Sequence, residues 1–198
     1  MEEKCGSSAL KGIMRSSTSR SQYWLRVLAW VGIIYASLPG VRPLCDFLKA
    51  KTPFLILINS FIAIVLIVLA VEIIRWRVWK GAFSYFLIWS IFVSYGYLLL
   101  FLKIPEEKIH LIEYGFLAFL VFRAVSLDYQ GIKRYAMAFV ISSLLGWLDE
   151  VIQHFLPNRY YQNSDVLLNM VSAGLGLWVV FIFEGGNGKK ALSRMREG

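Results

Sequence analysis

The sequence predicts an all-α protein, a polytopic transmembrane bundle of about six helices with both termini cytoplasmic. Three observations carry this reading. Of the 198 residues, 58% are hydrophobic and 16% aromatic, mean hydropathy is +0.59, and the 17% that are charged fall below the share usual for a soluble domain. The apolar residues gather into six runs, and the last five are each about 19 to 22 residues long, enough for a helix to cross a ~30 Å hydrocarbon core. The basic residues are also unevenly shared among the connections. With both termini inside, 15 Lys and Arg fall on the cytoplasmic side and 6 on the other, the asymmetry that orients membrane proteins. The formal charge of +8 is explained by that distribution and does not point to nucleic acid.

Residues 1–21 are rich in Ser, Gly and basic residues without periodicity, and read as a disordered cytoplasmic tail. The bundle occupies residues 22–184. Its first run, Tyr23 to Pro39, has signal-peptide character. Cleavage after Ala36 would put Ile34 where a small residue is preferred, so an uncleaved anchor is expected. Ala36-Ser37-Leu38-Pro39-Gly40 reads as a helix stop. Further spans are expected at Pro53–Ile74, Ala82–Leu102, Ile109–Leu127, Tyr135–Leu156 and Asp165–Phe183. Trp76 and Trp79, among Arg75, Arg77 and Lys80, read as an inner-face anchor, and residues 185–198 form a basic cytoplasmic tail. Cys5 and Cys45 fall on opposite sides of this topology, so no disulfide between them is expected.

The chemistry gathers at one end of the last three spans. Pro105 followed by Glu106 and Glu107 is a helix start, and His110, Glu113 and Tyr114 share a face at i, i+3 and i+4. On the fifth span Ser142, Gly146, Asp149 and Gln153 fall at i, i+4, i+7 and i+11. Asp165, Asn169, Ser172 and Gly176 repeat those offsets on the sixth. An antiparallel pair would set Gln153 level with Asp165 and Asp149 with Asn169, with the small residues of the two stripes meeting below. Asp149 would lie roughly 10 Å below its helix end. Glu150, turned about 100° from Asp149, is expected on the next face with His154. Acids on apolar helices are costly in lipid, so they should face protein or a wet cavity.

These residues carry a resemblance. His110 and Tyr114, Asp149-Glu150-x-x-Gln153, Pro157-x-Arg159 and Asp165-x-x-x-Asn169 with Gly174-x-Gly176 resemble the VanZ-like family, bacterial membrane proteins named for a member linked to teicoplanin resistance. The match is strongest over residues 104–177, with a weaker trace of Ser-Leu-Pro at the end of span one. In the family's shorter form the core has four spans, so the pair over 53–102 reads as an addition. The acid–Lys pair sits one residue nearer His110 than in the common form, and Lys108 is assigned no role.

The functional expectation is an extracytoplasmic-facing site in the bacterial cytoplasmic membrane that acts on or binds a cell-envelope component, with a part in glycopeptide tolerance implied by the resemblance. His110, Asp149 and Glu150 are the candidate catalytic groups, since paired carboxylates beside an imidazole suit acid–base work. Arg159, Gln153, Tyr114, Glu113, Asp165 and Asn169 are the candidate binding residues, and Arg159 would clamp a phosphate or carboxylate of a lipid-linked or peptide precursor. The alternatives are a non-enzymatic accessory or binding subunit and, third, a small transporter. No convincing nucleophile accompanies the acids. The motifs specify no cofactor. His110 with Glu113, Asp149, Glu150 and Asp165 can be read as a divalent-cation site favouring Mg, Ca or Mn over Zn, but a hydrogen-bonded polar plug that fixes helix register is the expected arrangement.

Overall fold

The computed structural model describes residues 3–75, 82–157 and 159–196, with side chains described for 20–72, Arg75, 85–157 and 159–184. Every element among the described residues is helical: α1 (Glu3–Lys51), α2 (Phe54–Arg75), α3 (Ala82–Phe101), α4 (Pro105–Val125), α5 (Ile132–His154) and α6 (Asn163–Arg196). Four of them hold segments long and apolar enough to cross a membrane: Arg20–Lys51, Phe54–Glu72, Ile132–His154 and Asn163–Glu184. In α3 the described apolar stretch is the shorter Tyr85–Phe101. At 21 residues α4 has the length, but its ionic groups Lys108, Glu113 and Arg123 interrupt the apolar run. The reading of Trp76 and Trp79 as an anchor lies outside the described residues.

Helix α4 is the centre. It packs most extensively on α6 and also on α1 and α5, while α5 packs on α6; α2 and α3 make smaller contacts at the side. The core joins Val27 of α1, Leu117, Ala118, Val121 and Phe122 of α4, Ala138 of α5, and Ala173 and Leu177 of α6. Gly131, at φ +59°, turns the chain between α4 and α5 in a conformation that suits glycine.

Helix α1 departs from the expected pattern at both ends. Its helix reaches back to Glu3, through residues read as a structureless tail that contain no proline to stop it. The expected stop at Ala36–Gly40 does not occur, and α1 continues through Pro39 and Pro43 to Lys51. An interior proline removes one hydrogen bond and crowds the preceding turn, at a cost of ~3 kcal/mol or more. Tertiary contact offsets this. Val27, Ile34, Leu38 and Cys45 are all buried, a single stripe that carries the packed face past the prolines. Trp30 Nε1 donates to the Glu113 carbonyl (3.1 Å) and Tyr35 Oη to the Leu145 carbonyl (2.7 Å), tying α1 to α4 and α5.

The small-residue stripes are used, but not all on one partner. Gly146 of α5 lies under Asn169 and Tyr114, as a close helix approach requires. Gly176 packs instead on the backbone of Gly115 in α4: a Cβ there would stand 2.4 Å from the Gly115 carbonyl oxygen. The side pair α2–α3 is fixed by a buried lysine. Lys108 Nζ donates to Asn59 Oδ1 of α2 (2.6 Å) and to the Leu99 carbonyl of α3 (3.0 Å), turning away from the acids of the site.

Candidate functional site

Three helix ends and the connection before α6 build the site. Pro105 starts α4 at its first turn, Glu106 and Glu107 favour that N-terminus, and one turn on His110 is carried inward. The last two turns of α5 supply Asp149, Glu150 and Gln153, all buried. The first turn of α6 supplies Asp165, buried at 8% exposure, and Asn169 follows one turn deeper. Arg159 comes from the α5–α6 connection.

Gln153 organises the cluster. Its Nε2 donates to Asp149 Oδ2 (3.2 Å) and Glu150 Oε1 (3.0 Å), while its Oε1 accepts from Arg159 Nη1 (2.9 Å). An amide is the one uncharged side chain that can donate to two carboxylates and accept from a guanidinium at once. The second Arg159 bond goes from Nη2 to the Leu38 carbonyl (3.4 Å), next to Pro39. Glu150 Oε2 also accepts the backbone N–H of Gln162 (3.3 Å). Glu150 therefore shares the Asp149 cluster, against the expectation that it stands on another face with His154; His154 is exposed. A turn of about 100° separates the neighbours, and Gln153, four residues after one and three after the other, reaches both.

His110 Nδ1 is 3.8 Å from Glu113 Oε2, and the ring lies 5.9 Å from that of Tyr114, as their i, i+4 spacing predicts. Tyr114 is fully buried beside Asp149. Asn169 does not sit level with Asp149: its Nδ2 donates to the Gly146 carbonyl (3.0 Å), nearly a turn deeper. His110, Asp149 and Glu150 each offer an atom of ligand type, and the three atoms lie within 4.8 Å of one another. Tyr114 Oη lies against the Asp149 carboxylate, while among the described residues His110 Nδ1 and Asn169 Oδ1 are buried with no hydrogen-bond partner. Each such atom costs about 1–3 kcal/mol.

Above the cluster a pocket of about 320 Å³ opens at the end of the bundle, with His110, Arg159 and Asp165 in its wall. Asp149, Glu150 and Gln153 are not in the wall; they form a layer beneath it. Sequence reasoning missed the far side of the pocket, which the continued α1 supplies as Arg42, Asp46 and Lys49. Their i, i+4, i+7 spacing was the available signal, masked by the prolines before it. Lys49 is spent on Glu106 (2.8 Å) and Asp46 (3.5 Å), whereas the hydrogen bonds of Arg159 all go to neutral oxygens.

No curated protein and no solved structure matches this chain. A family does. The matched stretch, residues 14–184, begins inside α1 and ends inside α6, and so takes in α2, α3 and every residue of the site just described. By that match the chain belongs to the VanZ/LLP1 family.

Proposed function

We propose that this is a multi-pass protein of the bacterial cytoplasmic membrane whose polar pocket faces outward and binds an anionic group, phosphate or carboxylate, of a cell-envelope component. Arg159 is the observation that carries the reading. Its guanidinium is held in the pocket wall by two neutral acceptors, Gln153 and the Leu38 carbonyl, with the Asp165 carboxylate in the same wall near enough to feel its charge. A planar fork fixed in this way suits bidentate recognition of an anion. The outward orientation is supported by the uneven distribution of Lys and Arg, with 15 on the side of the termini. Tyr160, in the same wall and 76% exposed, suits the membrane–water boundary, where a lipid-linked or peptide precursor would be met.

Among the described residues the wall of the pocket contains no Ser, Thr or Cys, which supports binding over nucleophilic chemistry. Acid–base catalysis is the second reading, and one observation favours it: His110 stands in the wall with Asp149 and Glu150 directly behind it. The role in the cell is protection of envelope precursors from glycopeptide drugs. The test is teicoplanin susceptibility of a sensitive bacterium expressing the protein at matched membrane abundance. Arg159→Ala should lose the protection and His154→Ala should keep it. Full protection by Arg159→Ala would refute the anion-binding reading. Asp149→Asn separates the two readings, since an enzyme would lose everything and a binder would keep part.

A further inference from the structure

We propose that His110, Asp149 and Glu150 hold one divalent first-row transition-metal ion beneath the outer pocket. From sequence alone a hydrogen-bonded plug was the expected arrangement, and a plug should satisfy its own members. This one does not. His110, 6% exposed, keeps a buried Nδ1 without a hydrogen-bond partner among the described residues, its nearest carboxylate oxygen being Glu113 Oε2 at 3.8 Å. His110, Asp149 and Glu150 present three ligand-type atoms within 4.8 Å of one another. Ligands at ~2.0–2.2 Å from a common tetrahedral ion lie about 3.4 Å from one another, so the side chains move inward by roughly an ångström to close the site.

Charge points the same way. Asp149 and Glu150 are fully buried, Glu113 lies beside His110, and Asp165 is buried at the wall above. Against these carboxylates, Arg159 is, among the described residues, the cation hydrogen-bonded into the cluster, through Gln153. A bound divalent ion would neutralise the two carboxylates where apolar surroundings make their charges most costly. The donor set selects the class of ion. One imidazole nitrogen with two carboxylate oxygens suits Mn²⁺, Fe²⁺ or Zn²⁺, whereas Mg²⁺ and Ca²⁺ prefer all-oxygen sites. Gln153, donating to Asp149 Oδ2 and Glu150 Oε1, would orient both carboxylates from outside the coordination sphere. The inference concerns the layer below the pocket and does not depend on what the pocket binds.

The experiment uses the full chain, purified in detergent without a polyhistidine tag, stripped with EDTA and reloaded with Mn²⁺. Metal analysis should find about one ion per chain. The chain has only two histidines, His110 and His154. Pulsed electron paramagnetic resonance of the Mn²⁺-loaded protein should therefore show coupling to an imidazole nitrogen that persists in His154→Ala, which needs no change in the cluster. Asp149→Asn and Glu150→Gln should each lower Mn²⁺ affinity at least 10-fold while remaining monodisperse. An unmutated chain that holds no Mn²⁺ or Zn²⁺ above background would overturn the site, as would bound Mn²⁺ lacking imidazole coupling. Either result leaves the teicoplanin test of Arg159 standing, and loss of that phenotype leaves the metal measurement standing.

Discussion

The crossing of α4 and α6 gives a sharp packing prediction, because the two glycines that meet there are not equivalent. A Cβ built on Gly176 stands 2.4 Å from the Gly115 carbonyl oxygen, 2.8 Å from its Cα and 2.9 Å from its carbonyl carbon, all backbone atoms. No rotamer change can relieve them. Bringing the shortest contact to ordinary van der Waals range requires the helices to part by about 1 Å, which breaks dense packing along the largest interface of the bundle. A Cβ on Gly115 meets nothing nearer than 3.6 Å, and one on Gly174 only Phe139 at 3.7 Å. Overpacking costs about 1–3 kcal/mol, and a clash against fixed backbone belongs at the upper end. At roughly 2–4 °C per kcal/mol for a chain of this size, Gly176→Ala should lower the melting temperature by about 6–12 °C, against ~2 °C or less for Gly115→Ala and Gly174→Ala. Thermal unfolding in detergent, followed by size-exclusion fluorescence, reads the difference. Equal melting of Gly176→Ala and the parent protein would refute the crossing.

Three further outcomes follow from named contacts. Lys108→Met removes the charge-assisted bonds to Asn59 Oδ1 and the Leu99 carbonyl, worth about 1.5–3 kcal/mol, and hydrogen exchange should rise in α2 and α3 while α5 and α6 stay protected. Gln153→Glu sets a third carboxylate against Asp149 and Glu150 and should abolish the teicoplanin phenotype; Glu150→Gln should match Asp149→Asn in severity, because both acids are equally buried. For orientation, a cysteine introduced at Asn163 should react with a membrane-impermeant thiol reagent on intact cells, while Cys5 is spared; the reverse pattern would place the pocket on the cytoplasmic side.

How far the sequence could be read depends on which forces acted locally. Helices α2, α3 and α5 and the start of α6 were legible because each apolar run is bounded by charged or turn residues, and lipid demands that the backbone satisfy itself within the run; α6 was not read to its end, since it continues past Phe183 to Arg196. The start of α4 was legible from Pro105 and the two glutamates after it. The length of α1 was not, because Pro39-Gly40 is a local stop signal overruled by a buried stripe on a helix whose hydrogen bonds reach residues 83 and 110 positions away. The same reason hid Arg42 and Lys49 as pocket residues. Stripes of small residues reveal a spacing but not a partner: α6 faces two helices, so Gly176 went to Gly115 of α4 and Asn169 to Gly146 of α5. Gathering of His110, Asp149, Gln153 and Arg159 was expected from helix faces alone. Gln153 as the link between them was not, since a donor–acceptor relay depends on distances that spacing does not supply.

The central claim is that Arg159, held by Gln153 and the Leu38 carbonyl, binds an anionic group in the pocket. The most direct measurement is the affinity of the purified protein in detergent for two probes, a polyprenyl phosphate and a short peptide with a free carboxylate, each compared with its uncharged counterpart. One anionic probe should bind measurably tighter than its neutral form. Arg159→Ala should weaken it about 10- to 100-fold, the value of a charge-assisted bond of about 1.5–3 kcal/mol. Arg159→Lys, which keeps the charge but not the fork, should fall between. Equal affinity for charged and neutral probes, or an unchanged affinity in Arg159→Ala, would contradict the account.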